Sequence, residues 1–234
     1  MIQNIIPEIT AFIYPESYAS NSYLIKGKRT ALIDSGDFSN AKQLISDLKS
    51  IDVFPEDIEL ILHTHGHADH FGADQFFPKA EIQMSKEDAE FLEKGIDEFS
   101  FSNSFANGFA PKINKYLTEN KLIEFGNPKN QSINSGNPKT NQCNFKLKII
   151  PCPGHTIGGV SFFEENKKIL FSGDTIFNGN IGRYDLMSSN AEELKKSIQK
   201  LSELSIEWLL PGHGEPLKGI KEIKKNFESV KEFF

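Results

Sequence analysis

The segment HTHGHADH, residues 63 to 70, places four of the chain's six histidines and one aspartate within eight positions. Imidazole nitrogen and carboxylate oxygen are the ligands that zinc and similar borderline ions take when sulfur is absent. His65 and His67 stand two apart, so a nearly extended segment points both the same way. Asp69 continues that register and His70 departs from it, which lets one loop serve two ions if other loops complete the shells. The obvious completing residues are His155 in PGHT, Asp174 in SGDT and His213 in PGHG. Structural zinc sites usually use several cysteines, and the only two here, Cys143 and Cys152, lack that spacing. The pattern therefore suits an open, catalytic site. A lone His-x-His says little, whereas this combination points to a metal centre. His63 falls outside the repeat and is assigned a structural role, closing the strand before it.

Each of these groups follows an apolar run, as a residue displayed at a strand end does. NSYLIKG and RTALIDSG read as two strands joined by a turn at Gly27. SNAKQLISDLKSI carries Leu44, Ile45, Leu48 and Ile51 at helical spacing, with Ser39 or Asn40 as its start. DIELIL is a short strand running into the histidine cluster, GADQFFP a helical turn and stop, and AEIQM the next strand. Ser85 and Asp88 have capping-box spacing, and Ala89, Leu92, Ile96 and Phe99 continue a helix. The Phe-rich stretch after it, with Phe101, Phe105 and Phe109, is either a lid over the site or an excursion packed on the core. Residues 126 to 142 read as a long polar loop. FKLKIIP, GVSFFE and KKILFSGD are strands, a capped helix starts at Asn190, and IEWLLPGHGEP is a strand ending in a loop. IKEIKKNFESVKEFF is a final amphipathic helix.

The two halves echo each other: NSYLIKGKRTALIDSG and GVSFFEENKKILFSGD are both strand, polar turn, strand, then a Ser, Gly and Asp cluster. Strands grouped in each half with helices between suggest two sheets covered by helices. The 234 residues suit one sizeable core, so a single domain over 1–234 is expected, with a helical, Phe-rich excursion at about 85–125. A net charge of −6 without a basic stripe argues against a nucleic-acid partner. No apolar run reaches membrane-spanning length, no secretory signal opens the chain, and two cysteines imply no disulfide framework. A cytoplasmic protein without a membrane partner is expected, acting on a small molecule, with a homodimer left open.

LIDSG at 32–36, THGHADH at 64–70, PGHT at 153–156, SGDT at 172–175 and PGHG at 211–214 together resemble the metallo-β-lactamase superfamily, in its order. The resemblance implies an αββα four-layer sandwich, two mixed sheets flanked by helices, with the site along one edge. It also implies ligand roles. His65, His67 and His155 would hold one metal, Asp69, His70 and His213 the other, and Asp174 would bridge both. Asp69 and Asp174 would be the catalytic carboxylates, and Asp34 would support the ligand loops from behind. Zinc is the default for the two divalent ions, with iron and manganese open.

Two metals sharing a water would lower its pKa towards about 7, giving a hydroxide able to attack a carbonyl. A thiolate or alkoxide can leave towards a metal, whereas a lactam nitrogen needs a proton donor, and none is evident. A small thioester or ester is therefore the expected substrate. GDTIFNGNIGRYDL resembles the glyoxalase II-like branch, in which Gly182, Arg183 and Asp185 follow the bridging aspartate. An Arg183–Asp185 pair fixing the loop is the favoured reading, with Phe177, Arg183 and Tyr184 as candidate substrate contacts. Hydroxyacylglutathione hydrolases commonly add a C-terminal helical extension, and room for one helix after PGHG argues against glutathione. Many lactonases of the family place a tyrosine where Phe177 stands. Alternatives are a lactonase for acyl-lactones, a β-lactam hydrolase and, in a different class, an iron-dependent persulfide dioxygenase.

Overall fold

Short apolar strands bury both faces here, so their side chains sort by alternation into three hydrophobic layers. The computed structural model describes residues 1–15, 17–119, 121–126 and 145–234. The loop expected at 126–142 and Cys143 lie, Gly126 apart, outside the described residues. The first sheet runs in chain order through β1 (Ile2–Ile6), β2 (Ile9–Phe12), β3 (Ser22–Ile25), β4 (Ala31–Ile33), β5 (Leu60–Leu62), β6 (Glu81–Ser85) and β7 (Lys115–Leu117). It is antiparallel up to β4 and parallel from there on. The second sheet contains β8 (Leu122–Glu124), β9 (Lys146–Pro151), β10 (Val160–Glu164), β11 (Ile169–Gly173), β12 (Trp208–Pro211) and β13 (Leu217–Lys218). It is antiparallel except between β11 and β12.

The helices are α1 (Ala41–Ser50), α2 (Ala68–Phe71), α3 (Lys86–Glu93), α4 (Asp97–Ser100), α5 (Ser102–Phe105), α6 (Ala191–Ser202) and α7 (Ile220–Ser229). Between the sheets, Tyr23, Ile25, Ala31 and Ile33 meet Leu147, Ile149, Phe162, Phe171 and Leu210. The intervening Leu24, Leu32 and Ile61 point outwards onto Leu44 and Leu48 of α1. On the opposite side Phe163, Leu170 and Leu209 cover Leu194, Ile198 and Leu201 of α6 and Ile223 and Phe227 of α7. One-residue alternation thus builds helix, sheet, sheet, helix, the expected αββα order.

Several local details differ from expectation. β1, β2, β7, β8 and β13 extend the sheets at their edges, where short strands carry little pattern. The helix expected through Phe99 ends at Glu93 with Lys94 as its cap, because Gly95 takes φ +66°, and restarts at Asp97. The Asn40 side chain makes no capping bond; Asp37 Oδ1 accepts from the Asn40 N–H at 2.7 Å instead. Among the described residues no helix is long and apolar enough to cross a membrane.

Candidate metal centre

β4 and β5 are parallel, so Asp34 and residues 63–70 emerge side by side at one edge of the first sheet. β9, β11 and β12 point the same way in the second sheet and deliver His155, Asp174 and His213. The chain after His67 is not extended. His67 has φ −86° and ψ 143° and caps the short helix α2, which carries Asp69 and His70. This corrects the register read for Asp69: a helical turn, not strand alternation, separates the two groups. Ser20 donates its N–H to the Asp69 carbonyl at 3.0 Å and Ser35 its N–H to the His70 carbonyl at 2.7 Å.

Three groups of donor atoms converge, each within 4.8 Å: His65, His67 and His155; His65, His70 and Asp174; and Asp69, His70 and His213. Asp174 is central. Its Oδ1 faces His70 Nε2 at 3.3 Å, and its Oδ2 lies 3.5 Å from both His155 Nε2 and His213 Nε2. In the first group His67 Nδ1 approaches His65 Nε2 at 3.1 Å and His155 Nε2 at 3.0 Å. Burial, then the neighbouring imidazolium charges, holds His65 well below its usual pKa and His67 at about 3. Burial likewise lowers His155. Neutral imidazole is the form that ligates a metal.

Each supporting bond selects the nitrogen left for the centre. His70 Nδ1 pairs with Asp34 Oδ2 at 2.9 Å, and His155 Nδ1 donates to the Arg183 carbonyl at 2.7 Å. Thr64 Oγ1 donates to Asp34 Oδ2 at 2.8 Å and so accepts from His65 Nδ1 at 3.1 Å. The Nε2 atoms of His65 and His155 remain as acceptors, whereas His70, which Asp174 and Asp34 raise well above its usual pKa against the effect of burial, turns its Nε2 towards Asp174. Burial alone would raise the Asp34 carboxyl, but His70 and His63 hold it at about 2. Asp34 sits at φ +53°, a left-handed conformation that aspartate tolerates better than most residues. His63, as expected, is structural: fully buried, it pairs with Asp74 at 2.8 Å and approaches Asp34 at 3.4 Å.

The residues fit a pair of divalent ions. His70 Nε2 and Asp174 Oδ1 are buried and face one another, yet neither has a hydrogen-bond partner. Such atoms are costly unless something else satisfies them. Close packing enforces the arrangement. A Cβ on Gly212 would overlap Asp174 Oδ1 and come 2.9 Å from a His70 ring carbon.

The Metallo-beta-lactamase superfamily model matches residues 17–213, which include every one of these groups. The chain belongs to the metallo-β-lactamase superfamily. It is 36% identical over 206 residues to a probable metallo-hydrolase of Methanocaldococcus jannaschii, covering 85% of this chain and 89% of that one. It is 32% identical over 193 residues to hydroxyacylglutathione hydrolase GloC of Haemophilus influenzae, covering 80% and 81%. In structure it resembles a metallo-β-lactamase family protein of Thermus thermophilus, with a TM-score of 0.77, 19% identity, and 98% and 80% of the two chains covered. That likeness bears on the fold of the superfamily.

Beside these converging histidines and aspartates lies a cavity of about 440 Å³, lined by His67, Asp69, His155, Asp174 and His213 together with Tyr18, Phe101, Phe105, Phe177, Ile181 and Arg183. The Phe-rich segment divides its work. Phe99 is fully buried, while Phe101 and Phe105 line the cavity. The Phe99 and Phe101 rings lie 5.6 and 5.5 Å from the His67 ring, whose Nε2 is also without a hydrogen-bond partner. Arg183 makes the expected pair with Asp185, at 2.9 Å through two nitrogens. Tyr184 turns elsewhere, its hydroxyl donating to the Phe233 carbonyl at 3.4 Å.

Two residues escaped sequence reasoning. Asn21 is buried; its N–H donates to the Gly212 carbonyl at 2.7 Å, and its amide to the Pro211 and Gly214 carbonyls at 3.0 and 2.8 Å, pinning the His213 loop to the first sheet. Asp88 is fully buried and accepts from Gly66 N–H, Thr156 Oγ1 and Gly158 N–H at 2.9, 2.7 and 2.7 Å. Burial raises its carboxyl to about 6 against the pull of those bonds. The spacing from Ser85 suggested a reciprocal capping box, but only the Ser85 half forms, at 3.4 Å. An acidic residue in an otherwise apolar helix face, directly after a buried strand, was the available signal.

Proposed function

We propose that the protein is a dinuclear metal-dependent hydrolase of small thioesters or esters with an apolar acyl group. The observation that carries this reading is the convergence of seven histidine and aspartate side chains, five of which line one open cavity. His65, His67 and His155 would hold one ion, Asp69, His70 and His213 the other, with Asp174 between them. Zinc suits this imidazole and carboxylate set. When bound, the ions supply Lewis acidity and an acidified water as nucleophile.

The chain's own residues do the rest. Tyr18, Phe101, Phe105, Phe177 and Ile181 form the wall that would seat the acyl group and exclude water from it. Asp69 lines the cavity as a carboxylate; burial would raise its pKa, but His70 and His213 lower it below the usual value. It is the group placed to accept the proton released during attack. Phe177 packs edge-on against His213 at 5.9 Å, so no phenol stands there to steady an oxyanion. The relationship to GloC supports thioester chemistry without fixing the thiol. The same aromatic wall supports the second reading, a lactonase for acyl-lactones.

Metal analysis of the purified protein, with thioester, ester, lactone and β-lactam substrates, tests the proposal. About two equivalents of metal, turnover of acyl thioesters or esters, and at least a hundredfold loss in His65→Ala are expected. A metal-free protein, or undiminished turnover by His65→Ala, would overturn it.

A further inference from the structure

His67 and His155 come from different sheets, so what ties their loops together determines whether three imidazoles can share one ion. Besides the approach of His67 Nδ1 to His155 Nε2 itself, Val160 donates its N–H to the Thr64 carbonyl at 2.8 Å, and among the described residues the other bonds between these loops converge on one carboxylate. Gly66, which donates to Asp88, stands between His65 and His67; Thr156 and Gly158, the other donors, follow His155. The helix end makes no demand on this carboxylate, since the reciprocal bond from the Ser85 N–H to Asp88 does not form. The other ligand loops are held by different residues: Ser20 and Ser35 for Asp69 and His70, Asn21 for His213.

We propose that Asp88 is the positioning residue of the three-histidine site, setting the spacing between the His65–His67 loop and the His155 loop without touching the ion itself. The inference rests on the metal-hydrolase reading above. Three hydrogen bonds to a buried carboxylate define both distance and orientation, and a neutral amide does not replace them. In Asp88→Asn at least one N–H or hydroxyl would face the amide NH₂ instead of an oxygen. The same carboxylate keys the Phe-rich segment to the site, since Phe99 packs against Gly66, where an added Cβ would lie 2.8 Å from its ring. Loss of Asp88 therefore weakens one metal site and spares the other.

The test uses the full chain, stripped of metal and titrated with Co²⁺ by calorimetry and visible absorption. In the wild type two equivalents bind. In Asp88→Asn one equivalent weakens by about 10- to 100-fold while the other moves less than about threefold. In a His213→Ala background, which leaves the three-histidine set intact, Asp88→Asn weakens the remaining equivalent by the same factor. Thr156→Val, which removes one of the three donors and leaves the carboxylate, weakens that equivalent less. Unchanged binding of both equivalents, or equal weakening of both, overturns the proposal. If circular dichroism shows that Asp88→Asn does not fold, Thr156→Val decides: wild-type Co²⁺ affinity in that variant overturns it. A folded wild type that takes up no Co²⁺ removes the metal reading itself, a result distinct from any difference between variant and wild type.

Discussion

His63 shows how one residue inside a histidine cluster can do different work from its neighbours. Burial pushes its pKa down, but Asp74 and then Asp34 outweigh burial and raise it from 6.5 to about 9. The fold therefore favours the protonated ring. A raised pKa gives stability that is fully present below the unfolded value and is lost as pH rises through the folded one. The window is pH 6.5 to 9, and the full effect is on the order of 3 kcal/mol. Urea unfolding of the metal-free wild type and His63→Gln across this range should show their stability difference shrinking as pH rises. A difference independent of pH would contradict a charged His63. Asp34 works with the opposite sign: held at about 2, it contributes stability above its unfolded value that is lost as pH falls through 2. Both roles depend on partners 11 to 36 residues away, so neither is visible from the motif alone.

At the scale of elements, the break between α3 and α4 turns a predicted straight helix into a support for the site. Gly95 reverses the chain, and Phe99 swings back to stack on Phe91 at 4.4 Å, beneath Gly66 and His67. Continued helical spacing was legible in Ala89 and Leu92, but not the break, because Gly95 alone is tolerated in helices and only packing decides. Phe99→Ala should cost about 3–5 kcal/mol of stability, as a fully buried ring replaced by a void does. Chemical denaturation measures this, and a loss below about 1 kcal/mol would show that the segment packs loosely. The pairing of β4 with β5 and β11 with β12 does the complementary job, bringing the segments that carry Asp34, the histidine cluster, Asp174 and His213 to matching strand ends.

At the scale of the molecule, the proposed ions would be cross-links between the sheets. His65, His67, Asp69 and His70 follow the first sheet, whereas His155, Asp174 and His213 follow the second. A ligand that binds only the folded state stabilises it by mass action, by about 4 kcal/mol at a thousandfold excess over Kd. For a chain of this size that corresponds to roughly 8–16 °C in Tm. Chelation should therefore lower Tm by that order in calorimetry, with little change in far-ultraviolet circular dichroism at room temperature. An unchanged Tm would mean that no tight metal bridges the sheets.

The sequence by itself determined the residue types and the layers. His65, His67, Asp69, His70, His155, Asp174 and His213 stand in short motifs behind apolar runs, and the grouping of those runs with helices between them suggests two sheets covered by helices. These are local properties, set by chemistry and apolar patterning. Only the tertiary structure decided how the groups meet: the helical turn that separates Asp69 from His67, the Arg183 carbonyl that orients His155, and the buried Asn21 and Asp88 that tie one sheet's loops to the other's. Those contacts join segments far apart in the chain. A polar side chain that looks local in sequence takes its role from whichever donors the folded sheets bring to it.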